Sequence, residues 1–268
     1  MKNLTVIVTG DSGALGQAIV KKLISKNYKV IGLSRRTTDE MKKLIETSQG
    51  KYIHINFDLQ KVEEIKDLYI NNLKNEGPIY GLINNAAYAY DDIVTNANLE
   101  ELEKMFRINF FSAVMLTKYV IRDMLLNEVK GSLVHISSVS AHTGYKGLSM
   151  YAATKGAIEA FSRTIAREWG SKGIRSNCIA PGFMETPMSA SLSEEQKERI
   201  YKRTSLRSPT SVEDVANMVE YLLSDKASSI TGTTIHIDCG TIWLSKSLSK
   251  PFYFFSGEKY ISITQFLL

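Results

Sequence analysis

Short runs rich in β-branched residues recur along this chain and alternate with longer stretches of helical period, which restricts its fold more than any other feature. The runs are LTVIVT (4–9), YKVIGLS (28–34), YIHINF (52–57), YGLIN (80–84), SLVHISS (132–138), IRSNCIA (174–180) and TTIHID (233–238). Apolar residues return at helical spacing through 61–75, 98–127 and 150–172. Such alternation predicts the α/β class, a doubly wound parallel sheet of about seven strands with helices on both faces. In sheets of this kind ligands sit beyond the carboxyl ends of the strands, where the strand order reverses.

A chain of 268 residues with 44% hydrophobic and 23% charged residues suits one globular domain. The alternation spans 1–243; the tail 244–268, with PFYFF and YISITQFLL, no longer follows it and is expected as a docked C-terminal arm with a short strand or turn near 259–266. The formal charge of +5 comes from dispersed lysines and arginines, a pattern of solvated surface and not of a nucleic-acid site. Cys178 and Cys239 show neither a disulfide framework nor zinc-ligand spacing, so no metal is expected and both thiols should be buried in a reducing compartment. The apolar run before Thr9 is short, and FFSAVMLTKYVI is broken by Lys118, so a soluble, cytoplasmic protein without a membrane partner is expected.

The strand ends carry the chemistry. The first run enters VTGDSGALGQ, a glycine turn leading into a helix through Lys26. Glycine there permits a tight turn and close approach to a pyrophosphate, and the helix start offers free N–H groups. Gly10, Ser12, Gly13, Leu15 and Gly16 form the expected dinucleotide site. The second run ends IGLSRR: Ser34 stands where an acidic residue would hold a ribose, and Arg35 and Arg36 can grip a 2′-phosphate, which favours NADP over NAD. Asp58 and Leu59 end the third run, and Asn85, Ala86 and Ala87 follow the fourth, where small residues let backbone approach a cofactor. Asn109 interrupts a helical pattern, which points to a local bend or a water-binding role. After the fifth run come Ser137 and Ser138, of which strand alternation lets only one face the site. After the sixth come Pro181, Gly182, Met184 and Thr186, the last a candidate carboxamide ligand. In SMYAATKGA, Tyr151 and Lys155 share a helix face, and a cation beside a phenol lowers its pKa toward a usable proton donor. Alone, that spacing is common in helices whose lysine simply faces water.

Taken in order, the glycine turn, NNA, Ser, Tyr-x-x-x-Lys and Pro-Gly resemble the short-chain dehydrogenase/reductase family, single-domain type related to 3-oxoacyl-[acyl-carrier-protein] reductases, over about residues 4–242. The resemblance implies a Rossmann-type fold, NADP(H) as cofactor and interconversion of a ketone and a secondary alcohol by hydride transfer. It implies Tyr151 as proton donor, Ser138 as partner of the substrate oxygen, Lys155 as ribose ligand and pKa lowerer, and Asn109 as holder of a water relay. It also implies a homodimer or homotetramer built on 98–127 and 150–172, whose apolar residues include Phe110, Val114, Ala157, Phe161 and Ile165. Three departures bear on pocket shape: Ala14 occupies the usual middle glycine position, Ala87 stands in NNAA, and Cys239 replaces a glycine. The substrate is a small-molecule carbonyl or alcohol set by the loops 142–148 and 187–210; acyl thioesters, steroids, sugars and small ketones stay open. Lys172 is the better candidate for touching a carrier protein. A sugar-nucleotide epimerase or dehydratase would need a larger C-terminal domain, and a regulatory cofactor binder would lack Tyr151 or Lys155.

Overall fold

The computed structural model describes residues 4–190 and 192–242, together with the strands Tyr253–Ser256 and Lys259–Ser262. In chain order its principal elements are β1 (Thr5–Thr9), α1 (Ala14–Ser25), β2 (Lys29–Ser34), α2 (Asp39–Thr47), β3 (Tyr52–Asn56), α3 (Ile65–Leu68) and β4 (Ile79–Asn84). They continue with α4 (Leu99–Phe106), α5 (Ser112–Leu126), β5 (Ser132–Ile136), α6 (Ser149–Trp169), β6 (Arg175–Pro181), α7 (Glu194–Tyr201), α8 (Val212–Leu223) and β7 (Thr234–Ile237). The strands form one parallel sheet in the order β3-β2-β1-β4-β5-β6-β7. The doubly wound Rossmann-type sheet expected from the alternation is therefore present.

Alternation along each strand sends apolar side chains to both faces. Val6 and Val8 join one core with Leu15, Ile19 and Leu23 of α1 and Val215, Val219 and Leu222 of α8. Ile7 turns the other way and joins Leu116, Val120 and Met124 of α5 and Ile165 of α6. Both faces are covered, so the strands read as nearly continuous apolar runs. Helix starts follow local chemistry: Thr38, Asn98, Ser193 and Ser211 each accept a backbone N–H of the first turn. At Gly13 no side chain caps α1.

The helical stretches are less regular than their periodicity suggests. Around α3, a 3-10 turn (Val62–Glu64), a π turn (Tyr69–Leu73) and a second 3-10 turn (Lys74–Glu76) make up the segment. Between α4 and α5 lies a π turn, Arg107–Phe111, with Asn109 at its centre, which is the local irregularity its mid-helix position points to.

Of the two thiols, Cys178 is buried and its pKa is pushed up to about 12 by that burial, whereas Cys239 is only partly covered. Cys239 also adopts a left-handed backbone, φ +53°. That region costs a residue with a Cβ about 1 kcal/mol, part of which glycine would recover. Cys239→Gly is expected to raise Tm by about 2 °C. An unchanged or lower Tm in thermal melts would show that the thiol's contact with the Pro209 carbonyl, 3.4 Å, outweighs the strain.

In the tail, Tyr253–Ser256 and Lys259–Ser262 pair antiparallel, apart from the main sheet. Docking of the arm concerns residues outside those described. No helix among the described residues is long and apolar enough to cross a membrane.

Candidate active site

The strand order reverses between β1 and β4, and at the carboxyl ends of the strands around that point lies a cavity of about 950 Å³. At the β1 turn, Gly10 has φ +70°, and a Cβ there would come within 2.9 Å of Ala86 Cα. A Cβ at Gly16 would overlap the Gly10 carbonyl. These glycines let the turn, α1 and the β4 end close together, as a dinucleotide cradle needs. Gly13 is different: its φ is −83°, so the shifted middle glycine is not demanded by backbone strain. Ser12, Leu15, Ala14 and the three glycines all line the cavity.

Thr9, which the sequence did not single out, clamps the turn to β4. Its hydroxyl donates to Ile83 O (3.3 Å) and accepts the N–H groups of Asn85 (2.9 Å) and Ala86 (3.0 Å). Asn85 returns its side-chain amide to Thr9 O (2.8 Å) and Gly10 O (3.3 Å). Asn85 thus braces the turn and, with Ala86 and Ala87, lines the cavity.

At the β2 end, buried Ser34 donates to Arg36 O, 3.1 Å, and shapes the loop that carries two exposed arginines. Arg35 and Arg36 line the cavity, and among the described residues neither guanidinium forms an ion pair. Asp58 and Leu59 complete that end, Asp58 turning its carboxylate to the N–H of Gln60 at 3.0 Å.

At the other end stand Ser138, Tyr151 and Lys155. The alternation argument separates the serines as expected: Ser137 is buried and donates to Glu159 (2.5 Å), which also meets His142 (2.9 Å). Ser138 faces the cavity, and among the described residues its hydroxyl accepts only the Ser140 N–H, 3.1 Å. Lys155 is 3% exposed, donates to Ile136 O at 2.8 Å, and lies 5.5 Å from the centre of the Tyr151 ring. Burial pushes the Lys155 ammonium down to about 8. The expected lowering of the Tyr151 pKa is not what the geometry produces. Burial, with the Asp91 carboxylate adding to it, holds the phenol above its ordinary value. Tyr151 therefore carries its proton at neutral pH.

Asn109 is the one expected site residue that does not line the cavity. It is buried; its Oδ1 accepts the Tyr88 N–H (2.7 Å), and its Nδ2 donates to Tyr88 O (2.9 Å) and Thr154 Oγ1 (3.1 Å). Thr154 in turn donates to Tyr151 O, 2.8 Å. Asn109 therefore braces the loop after β4 to the tyrosine's helix from behind, with its side chain committed to protein partners. Pro181, Gly182, Met184 and Thr186 close the floor, Thr186 also starting the short turn Pro187–Ser189.

Of the rest of the wall, Tyr145 lies in the loop 142–148 and Leu192 and Arg203 in 187–210, the two loops singled out from the sequence, whereas Tyr88, Asp91 and Phe183 carried no motif that marked them. Lys172 is not among the lining residues. It precedes β6, at the amino edge of the sheet, about 20 Å of strand away from the cavity.

A family model described as adh_short_C2, enoyl-(acyl carrier protein) reductase, matches residues 10–241. The chain belongs to the short-chain dehydrogenase/reductase family. This is a family of oxidoreductases acting on CH–OH and C=O groups. Among curated short-chain dehydrogenase/reductase members, the 3-oxoacyl-[acyl-carrier-protein] reductase of Buchnera aphidicola subsp. Acyrthosiphon pisum is 34% identical over 88% of this chain and 96% of its own. Among solved structures, 4-hydroxyisoleucine dehydrogenase complexed with NADH superposes with TM-score 0.85 at 25% identity, covering 91% of this chain and 100% of its own. A putative NAD(P)-dependent gluconate 5-dehydrogenase from Beutenbergia cavernae with bound NADP gives 0.84 at 25% identity, covering 90% and 97%.

Proposed function

We propose that this short-chain dehydrogenase/reductase uses NADP(H) to interconvert a ketone and a secondary alcohol, with Tyr151 moving the proton. One observation carries the reading: a single cavity joins two unpaired arginines at the β2 end to Ser138, Tyr151 and Lys155 at the other. The residues suit the cofactor. The glycine turn leaves room for backbone approach, α1 has an uncapped start for a diphosphate, and no acidic side chain stands at Ser34 to repel a 2′-phosphate. When bound, NADP(H) supplies or accepts the hydride.

The chain's own groups handle the charge that develops on the substrate oxygen. Ser138 already accepts an N–H, so its own proton is free to donate to that oxygen. Tyr151, protonated at neutral pH, delivers the proton in reduction and recovers it in oxidation. Lys155 spends one of its three donors on Ile136 O and keeps two for the ribose side and the phenol. Asn109 and Thr154 hold Tyr151 in place.

A 3-oxoacyl thioester is the first substrate to test, supported by the curated relative's activity and by the apolar wall of Tyr145, Leu148, Phe183, Leu192 and Ile200. The position of Lys172 argues against its touching a carrier protein at its own protomer's pocket. The half-buried aromatic patch of Phe110 and Phe161, 6.1 Å apart, with exposed Phe111 beside it, supports a homodimer or homotetramer through α5 and α6. Of the residues expected there, Ile165 is core. The free thiols suit a reducing, cytoplasmic setting.

The test follows NADPH absorbance with purified protein against 3-oxoacyl thioesters, keto-sugars, diketones and keto-steroids. Turnover with any of them supports the reading; binding of NADPH with no turnover of any carbonyl would sink it. Replacing Arg35 and Arg36 with alanine is expected to weaken NADPH about 10–100-fold while leaving NADH within about threefold. Equal kcat/KM for the two cofactors in the unaltered enzyme would refute the phosphate assignment.

A further inference from the structure

We infer that Asp11 is a positioning residue for the dinucleotide, a buried strut that pins the glycine turn to β3 across β2; this rests on the cofactor reading above. Asp11 follows Gly10 directly and is 0% exposed. Its Oδ2 accepts two hydrogen bonds, from Tyr52 OH (2.7 Å) and from His54 Nδ1 (2.7 Å), whose ring therefore carries its proton on that nitrogen. Tyr52 is almost fully buried and the His54 side chain is 4% exposed. The two donors stand two residues apart on β3 and so project from the same sheet face.

Between the turn and β3 runs β2, and Gly32 pairs directly with His54. A Cβ built at Gly32 would overlap the Asp11 carboxylate. The missing side chain is thus what lets the strut pass over β2. The strut bonds the phosphate turn after β1 to the first and third residues of β3 and passes over β2 at Gly32. The segments that follow these three strands, namely the turn itself, the arginine loop and Asp58 with Leu59, line the adenosine half of the cavity. Stability does not account for the arrangement. Asp11 Oδ1 and His54 Nε2 are buried without a partner among the described residues, and a half-satisfied polar network costs more than apolar packing of the same volume. What the bonds do supply is a fixed height of the turn above the sheet, which decides where the N–H groups of the α1 start meet a diphosphate.

The geometry makes Gly32 and Asp11 dependent on each other, and a double-mutant cycle reads that dependence. In the full chain, NADPH Kd is measured by fluorescence titration for Gly32→Ala, Asp11→Ala and the double variant, with kcat at saturating NADPH and amide hydrogen exchange of residues 10–16. Asp11→Ala is expected to raise Kd about tenfold with kcat within about threefold, and to speed exchange in the turn while β5 amides keep their protection. Gly32→Ala is expected to raise Kd at least as much alone, yet to add less than about twofold when Asp11 is already alanine. Asp11→Asn, which keeps one acceptor, should fall between Asp11→Ala and the unaltered chain.

The inference is overturned if Asp11→Ala leaves Kd within twofold and turn exchange unchanged, or if Gly32→Ala costs as much in both backgrounds. Should Gly32→Ala alone fail to fold, recovery of folding in the double variant supports the strut, and failure of both overturns it. Should the unaltered chain bind no dinucleotide, the cofactor reading falls, and the exchange of residues 10–16 still decides the strut.

Discussion

Tyr151→Phe is expected to lower kcat by about a thousandfold while NADPH Kd stays within about threefold, because only the transferable proton is lost and the ring still fills its place. The proton is held firmly. Burial keeps the phenol above its ordinary pKa, so at neutral pH a protonated donor awaits the developing oxyanion beside Ser138. The two variants should therefore separate by degree: Ser138→Ala removes one donor and is expected to cost about a hundredfold, less than the loss of the proton source. Steady-state rates with a substrate found in the screen, together with fluorescence titration of NADPH, decide it. A Tyr151→Phe enzyme within tenfold of the unaltered kcat would remove the tyrosine from the proton-transfer role.

Lys155→Met is expected to abolish turnover and, at the same time, to stabilise the protein without cofactor. The lysine is buried against one carbonyl, and the fall of its pKa from 10.5 to about 8 measures a burden on the charged form of about 3 kcal/mol. Methionine fills similar space without that burden and loses one hydrogen bond worth about 1 kcal/mol, leaving a net gain of about 2 kcal/mol near pH 7 and a Tm about 5 °C higher. The pH dependence has a definite sign. Between about 8 and 10.5 the unfolded lysine holds its proton and the folded one does not, so stability rises with pH across that window. Below 8 both forms are protonated and the full cost is present. Denaturant titrations at pH 7 and 9.5 should show this rise in the unaltered chain and its loss in Lys155→Met. Rates of reduction by the unaltered enzyme should fall as pH climbs through about 8, where the ammonium is lost. A less stable Lys155→Met would mean that the lysine packs as a structural cation and not as a functional one held at a cost.

Features that depend on neighbours in the chain were legible beforehand. The two-residue period of the strands and the 3.6-residue period of the helices are local, and they placed the seven parallel strands to within a residue or two. The glycine turn between β1 and α1, the Ser34-Arg35-Arg36 loop and the four-residue spacing of Tyr151 and Lys155 are local too, and strand ends of one parallel sheet necessarily converge. Cys239 could be read as standing at a glycine position, and its left-handed backbone agrees.

What the tertiary structure alone decided concerns burial and partners distant in sequence. The lysine beside Tyr151 promised a lowered phenol pKa, yet desolvation by the surrounding walls raises it, and no spacing rule reports desolvation. Asn109 was legible as an irregularity in a helix, but its partners Tyr88 and Thr154 lie 21 and 45 residues away, so its role as a brace needed the packed chain. Lys172 looked placed for a carrier protein until the sheet put it at the opposite strand ends. Asp11 and His54 stand 43 residues apart and meet only because β2 offers a glycine between them. Periodicity and spacing determine which groups a chain can bring to one edge of a sheet, while dielectric surroundings and long-range contacts, which exist only once the layers have packed, determine what those groups do there.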